Sequence, residues 1–414
     1  MWFYVQRILI GYQMSDAVRH DRPRGTLSDL YPRWLGAREL LLHHRDPYGA
    51  DLTREIQAGY YGRILDPNRA ADPKDQQRFA YPVYVVFLLA PLVKLPYSVV
   101  QPAFLWLLVL LTVQSVFWWL RALNWRTSGA NLLIIVLLTL GSFPAVQGLK
   151  LQQLTLLVAP LLALGAVLLT SEQLAAAGVV LAVVTIKPQL TGLLAAWLAL
   201  WALSDLRRRW RFLAGFALTL AALFAGSELL LPGWFPRFLV GLAAYRQYTG
   251  GANSCLDVLV TPAVGHWLSV VVILATAVFC WRTRKFPSDS REFALATAMV
   301  LAITVVVVPM VAPYNQLLLL PAIFLILRDW KSLYRSHGAR LLTMVAVLTL
   351  VWPWLTAVAL TVAWFFLRPE VVQRAWAVPL YTSVGMPLAV VTLLTPLLLA
   401  RGNQGGVTTF RKAT

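Results

Sequence analysis

The sequence predicts an all-α integral membrane protein, a polytopic helical bundle of about 10–12 spans with a polar first non-cytoplasmic loop. Hydrophobic residues make up 59% of the 414 residues and charged residues only 13%, whereas soluble globular proteins carry about 25% charged residues. The apolar residues form long runs separated by short basic turns, which is the pattern of repeated membrane crossings. Residues 15–80 contain 11 of the 36 basic and 10 of the 18 acidic residues. Because charged groups are costly in hydrocarbon, this segment must lie outside the lipid.

The first segment, residues 1–14, is apolar but shorter than the roughly 20 residues that a span needs. Arg7 also interrupts it. Two interpretations stay open: the tail of a first span whose beginning is absent, or a helix that lies in the membrane interface.

The second segment, residues 15–79, is predicted to be a polar loop with short helices that carries the catalytic region. Leu30, Trp34, Ala37 and Leu41 follow the i, i+4, i+7, i+11 spacing of one helical face. Asp29 precedes this helix and could cap it. The sequence Asp46-Pro47-Tyr48 should end it, because proline disfavours helix in the residue before it.

Residues 80–400 are predicted to form a multi-span transmembrane bundle, and residues 401–414 a basic cytoplasmic tail. Several apolar runs are short and contain proline, at Pro91, Pro96, Pro144, Pro188, Pro309, Pro313 and Pro353. Broken helices at membrane depth are tolerated where the freed backbone is buried in protein or lines a cavity. The bundle should therefore enclose a groove.

The net charge of +18 does not indicate a nucleic-acid partner. Seventeen basic residues fall into five clusters beside apolar runs: Arg121/Arg126, Arg207–Arg209 with Arg211, Arg282/Arg284/Lys285/Arg291, Arg328/Lys331/Arg335/Arg340 and Arg401/Arg411/Lys412. Such clusters stay on the cytoplasmic side and favour anionic membrane lipids. Placing them inside puts residues 148–153, Lys187 and residues 314–316 on the far side. Residues 15–79 join that side only if the run 80–97 is re-entrant or a later short run fails to cross.

Four stretches in order resemble glycosyltransferase family 87: SDLYPRWLGARELLLHHRDPY, FAYPVYVVFLLAPLVKLPY, SFPAVQGLKLQQLTLL and GVVLAVVTIKPQLTGLL. The resemblance covers about residues 28–210 well and the remainder as a pattern of spans. It implies a GT-C-like helical bundle that takes a sugar, usually mannose, from a polyprenyl-phosphate carrier. It also implies an aspartate base at Asp29 and a family lysine-proline pair at Lys187-Pro188.

Transfer from such a donor needs a carboxylate to take the acceptor's proton and positive charge to stabilise the departing phosphate. Asp29 is the first candidate base and Asp46 the second, although Asp29 could instead be a helix cap and Asp46 a turn former. The candidate phosphate ligands are Lys187, Lys150, Arg33 and Arg38; snorkelling of Lys187 and structural pairing of Arg38 are the alternatives. Candidate substrate contacts are Tyr31, Tyr81, Tyr314, Asn315 and Gln316. No metal or cofactor is predicted, since the five histidines show no ligand spacing.

The predicted function is a hexosyltransferase of the bacterial inner membrane that works on the non-cytoplasmic face. Its partners would be a polyprenyl-phosphate sugar donor, a lipid or glycan acceptor and membrane lipids. A single carboxylate and one direct displacement predict inversion at the anomeric carbon. The rivals are a transporter or flippase of lipid-linked sugars, which would share the groove and broken helices, and a non-catalytic assembly factor.

Overall fold

A computed structural model describes residues 1–25, 27–66, 68–73, 75–248, 253–309, 311–333 and 340–399. All regular structure in these residues is helical. The α-helices are α1 (Ile10–Arg19), α2 (Leu30–His43), α3 (Ala50–Tyr61), α4 (Val85–Leu89), α5 (Tyr97–Ala122), α6 (Gly129–Gly141), α7 (Phe143–Leu151), α8 (Thr155–Thr170), α9 (Leu174–Val183), α10 (Pro188–Leu203), α11 (Leu206–Leu230), α12 (Trp234–Tyr248), α13 (Cys255–Leu259), α14 (Pro262–Thr283), α15 (Arg291–Val307), α16 (Leu320–Arg328), α17 (Trp330–Leu333), α18 (Arg340–Trp364), α19 (Pro369–Gln373), α20 (Ala377–Thr382) and α21 (Met386–Leu399). A π-helix at Tyr4–Leu9 and 3₁₀ helices at Ala90–Leu92, Val184–Ile186, Pro313–Leu319 and Ser383–Gly385 complete the order.

The all-helical, polytopic class predicted from the sequence is confirmed. Five helical stretches in the described residues are long and apolar enough to cross a bilayer: Tyr97–Ala122, Leu206–Leu230, Pro262–Thr283, Arg340–Trp364 and Pro369–Leu398. The pair α6 and α7, bent by 53° at its junction, makes a sixth if it counts as one span. The predicted number of 10–12 treated short apolar runs as crossings. Several of those runs fold into helices of 10–17 residues, such as Thr155–Thr170 and Pro188–Leu203, which rise about 15–25 Å against a hydrocarbon core of about 30 Å.

Three of the predicted prolines stand at observed helix breaks. Pro144 and Pro188 stand in the first turns of α7 and α10, where a missing N–H costs no helical hydrogen bond. Pro313 likewise begins the 3₁₀ helix Pro313–Leu319. Pro353 differs from the prediction, because α18 continues through it without ending; membrane helices tolerate an interior proline when neighbouring groups satisfy the freed backbone.

The N-terminal residues form one helical stretch that runs past the predicted boundary at residue 14 to Arg19. Tyr4, Val5, Ile8 and Leu9 are buried against Phe143 and Val146 of α7, Ala357 of α18 and Val372 of α19. The hydroxyl of Tyr4 donates to the carbonyl oxygen of Trp376. This stretch therefore packs as a wall of the bundle. The predicted basic tail, residues 401–414, lies outside the described residues.

The polar segment rests on the bundle through its two helices. Helix α2 begins at Leu30, as predicted, and buries Leu30, Trp34 and Ala37. A Cβ added at Gly36 would lie 2.3 Å from the ring of Phe79, and one at Gly59 would lie 2.1 Å from the hydroxyl of Tyr31. Glycine at these two positions allows the close approach that packs α2 and α3 onto their neighbours.

Four of the five predicted basic clusters meet at one end of the bundle, and the fifth, at residues 401, 411 and 412, lies outside the described residues. Arg209 donates to the carbonyl oxygen of Arg284 (2.9 Å), Arg291 pairs with Asp329 (2.6 Å), and Arg328 donates to the carbonyl oxygen of Leu123 (2.6 Å). Helix α10 runs from Lys187 to this basic end, and α15 runs from the basic end to Val307. Residues 187 and 308 therefore mark the other end. The backbone N–H of Asp29 donates to the carbonyl oxygen of Leu151 at 3.0 Å, which joins the polar segment to the end occupied by residues 148–153.

This junction bears on the open question of topology. Within residues 80–97, only Val85–Leu89 and Ala90–Leu92 are helical before α5 begins. Eight helical residues rise only about 12 Å, too little to cross. This length favours the alternative in which the run 80–97 does not span the bilayer.

Helices α9 and α11 pack backbone to backbone through two glycines. A Cβ at Gly178 would lie 2.3 Å from the carbonyl oxygen of Phe212, and one at Gly215 would lie 2.3 Å from that of Ala175. Small residues that let two backbones approach are a common way to join helices in membranes.

Gly178→Ala is expected to destabilise the protein by about 1–3 kcal/mol, because the added methyl group forces α9 and α11 apart. Thermal unfolding of the detergent-purified protein would measure this as a lower Tm. Gly192→Ala is the matched control, since a Cβ at Gly192 of α10 meets no atom within 4 Å. If both variants had the same Tm, the backbone contact would not be important for stability.

Candidate active site

A cavity of about 1280 Å³ lies at the end of the bundle opposite the basic clusters. Its walls come from the N-terminal helical stretch, from the polar segment, and from the helix breaks at residues 150–153, 186–189 and 308–315. The predicted site residues that line it are Asp29, Arg33, Tyr81, Lys150, Lys187, Tyr314 and Asn315. The groove expected from the broken helices is therefore present, and seven of the eleven candidates face it.

Asp29 occupies the N-cap position of α2, but its side chain makes no capping hydrogen bond. Instead, one carboxylate oxygen accepts from the side-chain amide of Gln153, and the other accepts from the hydroxyl of Tyr60 at 3.3 Å. Burial, together with the charge of Asp29, raises the pKa of Tyr60, so that Tyr60 stays protonated and can donate. No Lys, Arg or His among the described residues forms an ion pair with Asp29. Asp29 is thus a carboxylate held by neutral donors.

Lys187 lies at the break between the 3₁₀ helix Val184–Ile186 and α10, with only 5% of its surface exposed. Its ammonium group donates to the hydroxyl of Thr155 at 2.7 Å and to the side-chain oxygen of Gln153 at 3.4 Å. Thr155 donates in turn to the side-chain oxygen of Asn315 at 3.1 Å. One chain of polar side chains therefore connects Asp29, Gln153, Lys187, Thr155 and Asn315.

Aromatic rings flank the cations of this chain. The Lys187 ammonium lies 5.9 Å from the ring centre of Tyr81 and 5.2 Å from that of Tyr314. The Arg33 guanidinium lies 4.9 Å from the same Tyr81 ring. Cations at this distance from an aromatic face are attracted to it, so Tyr81 holds Arg33 and Lys187 on one side of the cavity.

Lys150 also lines the cavity, but it is solvent-exposed at the end of α7. Its ammonium group donates to the side chain of Gln6 and lies 5.3 Å from the ring centre of Trp2. These contacts attach the N-terminal helical stretch to α7 beside the cavity.

Two of the candidates that lie away from the cavity make contacts that hold the fold. Asp46 accepts from the backbone N–H of Tyr48 at 2.9 Å and pairs with Arg237 of α12 at 2.9 Å. Arg38 donates to the carbonyl oxygen of Val93 at 3.2 Å. In this position Asp46 is a turn former and ion-pair partner, and Arg38 anchors the segment that follows α4.

Tyr31 and Gln316 also lie away from the cavity lining. The ring of Tyr31 packs edge-on against Tyr97, with ring centres 5.0 Å apart. The side-chain nitrogen of Gln316 donates to the carbonyl oxygen of Ser383 at 2.8 Å. Tyr31 and Gln316 are close in sequence to Arg33 and Asn315, but their side chains do not line the cavity.

The structure adds cavity residues that the sequence reasoning missed: Arg24, Tyr60, Asp75, Arg78 and Gln153. Asp75 accepts from the backbone N–H and the side-chain amide of Gln77, at 3.1 and 3.0 Å. Burial raises the pKa of the Asp75 carboxyl, and the nearby charge of Asp29 adds to the shift. Sequence position was the available signal, because Asp75 and Arg78 lie within the four residues that precede the stretch FAYPVY.

The charge of the cavity is predominantly positive. Among the described residues, five basic side chains line it, namely Arg24, Arg33, Arg78, Lys150 and Lys187, against the two carboxylates of Asp29 and Asp75. The remaining lining is partly apolar, with Val5, Leu9, Ile10 and Met14 on one wall and Ile186, Phe238, Leu242 and Val308 on another. Within the described part of the chain, no group of three His, Cys, Asp or Glu residues has the geometry to hold a metal ion.

Fold and cavity together define a polytopic membrane protein with a positively charged cavity at the end of its helical bundle. The sequence profile of glycosyltransferase family 87 matches residues 79–313, which is more than half of the chain. The chain belongs to glycosyltransferase family 87 and is thus a membrane glycosyltransferase with sugar donor and acceptor substrates. No curated protein and no solved structure matches the chain. The matched region contains Tyr81, Gln153 and Lys187 but begins after Asp29 and Asp75.

Proposed function

We propose that this protein transfers a hexose, with mannose favoured, from a polyprenyl-phosphate carrier to a hydroxyl of a lipid or glycan acceptor, with inversion at the anomeric carbon. The observation that carries the proposal is the polar chain in which a carboxylate, Asp29, and a cation, Lys187, contact the same amide inside one cavity. Both groups that the reaction requires are therefore within one site. The transporter alternative has no comparable support, since family membership indicates a transferase.

The cavity supports a lipid-linked phosphate donor in two ways. Its excess of basic over acidic side chains suits an anionic head group. Its apolar walls suit the hydrocarbon chain that such a carrier bears. The volume of about 1280 Å³ also exceeds the roughly 300–1,000 Å³ of an ordinary ligand pocket, as a site for donor and acceptor together requires.

The proposed reaction is a single displacement. Asp29 removes the proton of the acceptor hydroxyl as that oxygen forms a bond to the anomeric carbon. The bond from the anomeric carbon to the phosphate oxygen breaks, and its electron pair leaves with the polyprenyl phosphate. Lys187 and Arg33 stabilise the developing phosphate charge by electrostatics and need not transfer a proton.

Among the carboxylates, Asp29 is favoured over Asp46 as the base. The Asp46 carboxylate is ion-paired with Arg237 and lies outside the cavity lining, so it does not face an acceptor bound in the cavity. Asp75 is the second cavity carboxylate and the next candidate if Asp29 is not the base.

The proposed site is on the non-cytoplasmic face of a bacterial inner membrane. This placement is supported by α10 and α15, which have the cavity at one end and the basic clusters at the other. Basic clusters beside spans mark the cytoplasmic side.

A transfer assay with the purified full-length chain in lipid nanodiscs tests the function. We expect transfer from radiolabelled polyprenyl-phosphate mannose to an acceptor mixture of membrane lipids and short oligosaccharides, and none from a nucleotide-activated mannose. The anomeric configuration of the product, measured by NMR, should be opposite to that of the donor. Transfer from the nucleotide sugar alone, or retention of configuration, would contradict the proposal.

A further inference from the structure

The junction between α7 and α8 contains two consecutive glutamines, Gln152 and Gln153, with 3% and 4% of their surface exposed. Gln152 has a left-handed backbone (φ 50°, ψ 48°) and ends α7. Non-glycine residues rarely adopt this conformation. The sharp turn that it makes lets the two consecutive side chains serve different parts of the Asp29 segment.

The side chain of Gln152 holds the backbone that precedes Asp29. Its oxygen accepts from the hydroxyl of Ser28, and its nitrogen donates to the carbonyl oxygen of Gln101 in α5. The Ser28 hydroxyl also lies 2.6 Å from the hydroxyl of Tyr97. Together with the backbone bond from Asp29 to Leu151, these contacts fix where α2 begins relative to α5 and α7.

The side chain of Gln153 holds the carboxylate itself. Its nitrogen donates to Asp29, and its oxygen accepts from Lys187. A carboxylate can only accept and an ammonium can only donate, so a single orientation of the amide satisfies both neighbours. The neutral amide thereby stands between opposite charges that would otherwise be free to form a direct ion pair.

We infer that Gln152 and Gln153 are the positioning pair of the active site: Gln152 fixes the backbone at Asp29, and Gln153 orients the Asp29 carboxylate and separates it from Lys187. The inference rests on the proposed function of Asp29 as the base. By donating a hydrogen bond, Gln153 fixes which oxygen of the Asp29 carboxylate faces the amide. By separating it from Lys187, Gln153 leaves the carboxylate able to accept a proton and the ammonium able to meet a phosphate.

The test is the pH dependence of kcat/KM for sugar transfer by the full-length chain in nanodiscs. Gln153→Met removes both hydrogen bonds but keeps the volume that separates Asp29 from Lys187. We therefore expect the acid limb of its pH profile to lie about one pH unit higher than in the wild type, because Asp29 loses a donor and gains no ion pair. Gln153→Glu keeps the shape and places a second carboxylate beside Asp29, and we expect a larger upward shift from like-charge repulsion.

Gln152→Ala should lower kcat at least tenfold with little change in the KM of the donor.

Gln57→Met is the control for loss of a buried amide, since the hydrogen bonds of Gln57 to described residues, at Leu65 and Gln76, lie within the polar segment. Its acid limb should coincide with that of the wild type. Wild-type pH profiles in both Gln153 variants, or wild-type kcat in Gln152→Ala, would overturn the inference. If the wild type transfers no sugar, the proposed function fails instead. If Asp29→Asn transfers sugar normally, the proposed role of Asp29 as the base fails, so each failure is distinguishable from failure of the inference.

Discussion

Asp29→Asn is expected to lower the rate of sugar transfer by about 10²–10⁴-fold, because a positioned general base contributes roughly that factor. Asparagine keeps the shape of the side chain, and its oxygen can still accept from Gln153 or Tyr60. Donor binding should therefore be retained. The measurement is single-turnover transfer of labelled sugar, together with the Kd of the donor, for the wild type and the variant.

Asp46→Asn is the matched control, because Asp46 lies outside the cavity lining and pairs with Arg237. We expect it to transfer sugar at close to the wild-type rate, with a small loss of stability. Normal transfer by Asp29→Asn would exclude Asp29 as the base. Loss of transfer in Asp75→Asn would then identify the second cavity carboxylate as the base.

Lys187→Met is expected to slow transfer strongly and at the same time stabilise the fold. The lost cation should lower the rate by about 10²–10³-fold, the usual cost of removing one group that stabilises transition-state charge. Lys187 is nearly fully buried and bonds neutral groups, Gln153 and Thr155. Because a buried charge without an opposite charge destabilises a protein, its replacement by an apolar side chain should raise Tm by a few degrees. Transfer assays and thermal unfolding of the same preparation measure both effects.

Lys94→Met provides the comparison, since Lys94 is exposed and lies outside the cavity lining. Neither its activity nor its Tm should change appreciably. A Lys187→Met protein that lost both activity and stability would show that the lysine maintains the fold. A variant that retained activity would remove Lys187 from the proposed mechanism.

Two residues of the candidate site, Gln152 and Lys187, are expected to reduce the stability of the fold where they serve function. Gln152 adopts a left-handed backbone that costs roughly 1–2 kcal/mol for a residue with a side chain, and the amino group of Lys187 is buried beside the neutral side chains of Gln153 and Thr155. Both lie at helix breaks that open onto the cavity. Backbone and electrostatic costs of this kind persist where the surrounding structure fixes them, and they concentrate at functional sites.

Much of the architecture follows from local sequence. The apolar runs determine helices, and α2 begins at Leu30 because its apolar face starts there. Pro144, Pro188 and Pro313 mark real breaks, since each stands where no helical N–H is needed. The number of crossings does not follow in the same way. An apolar run specifies an apolar helix. Its length and its bend at a break, such as the 53° between α6 and α7, decide whether that helix spans the bilayer.

The candidate site, too, follows from the sequence only in part. By itself, the sequence determined the helical membrane class, the family resemblance, the basic end of the bundle and the residue types from which a transferase site could be made. Only the tertiary structure decided that Asp29 and Gln153, 124 residues apart, share a hydrogen bond, and that Asp75 and Arg78 line the cavity while Asp46 and Arg38 do not. The reason is physical. Periodicity specifies which face of one helix is buried, whereas contacts between distant helix breaks depend on how all the helices pack together.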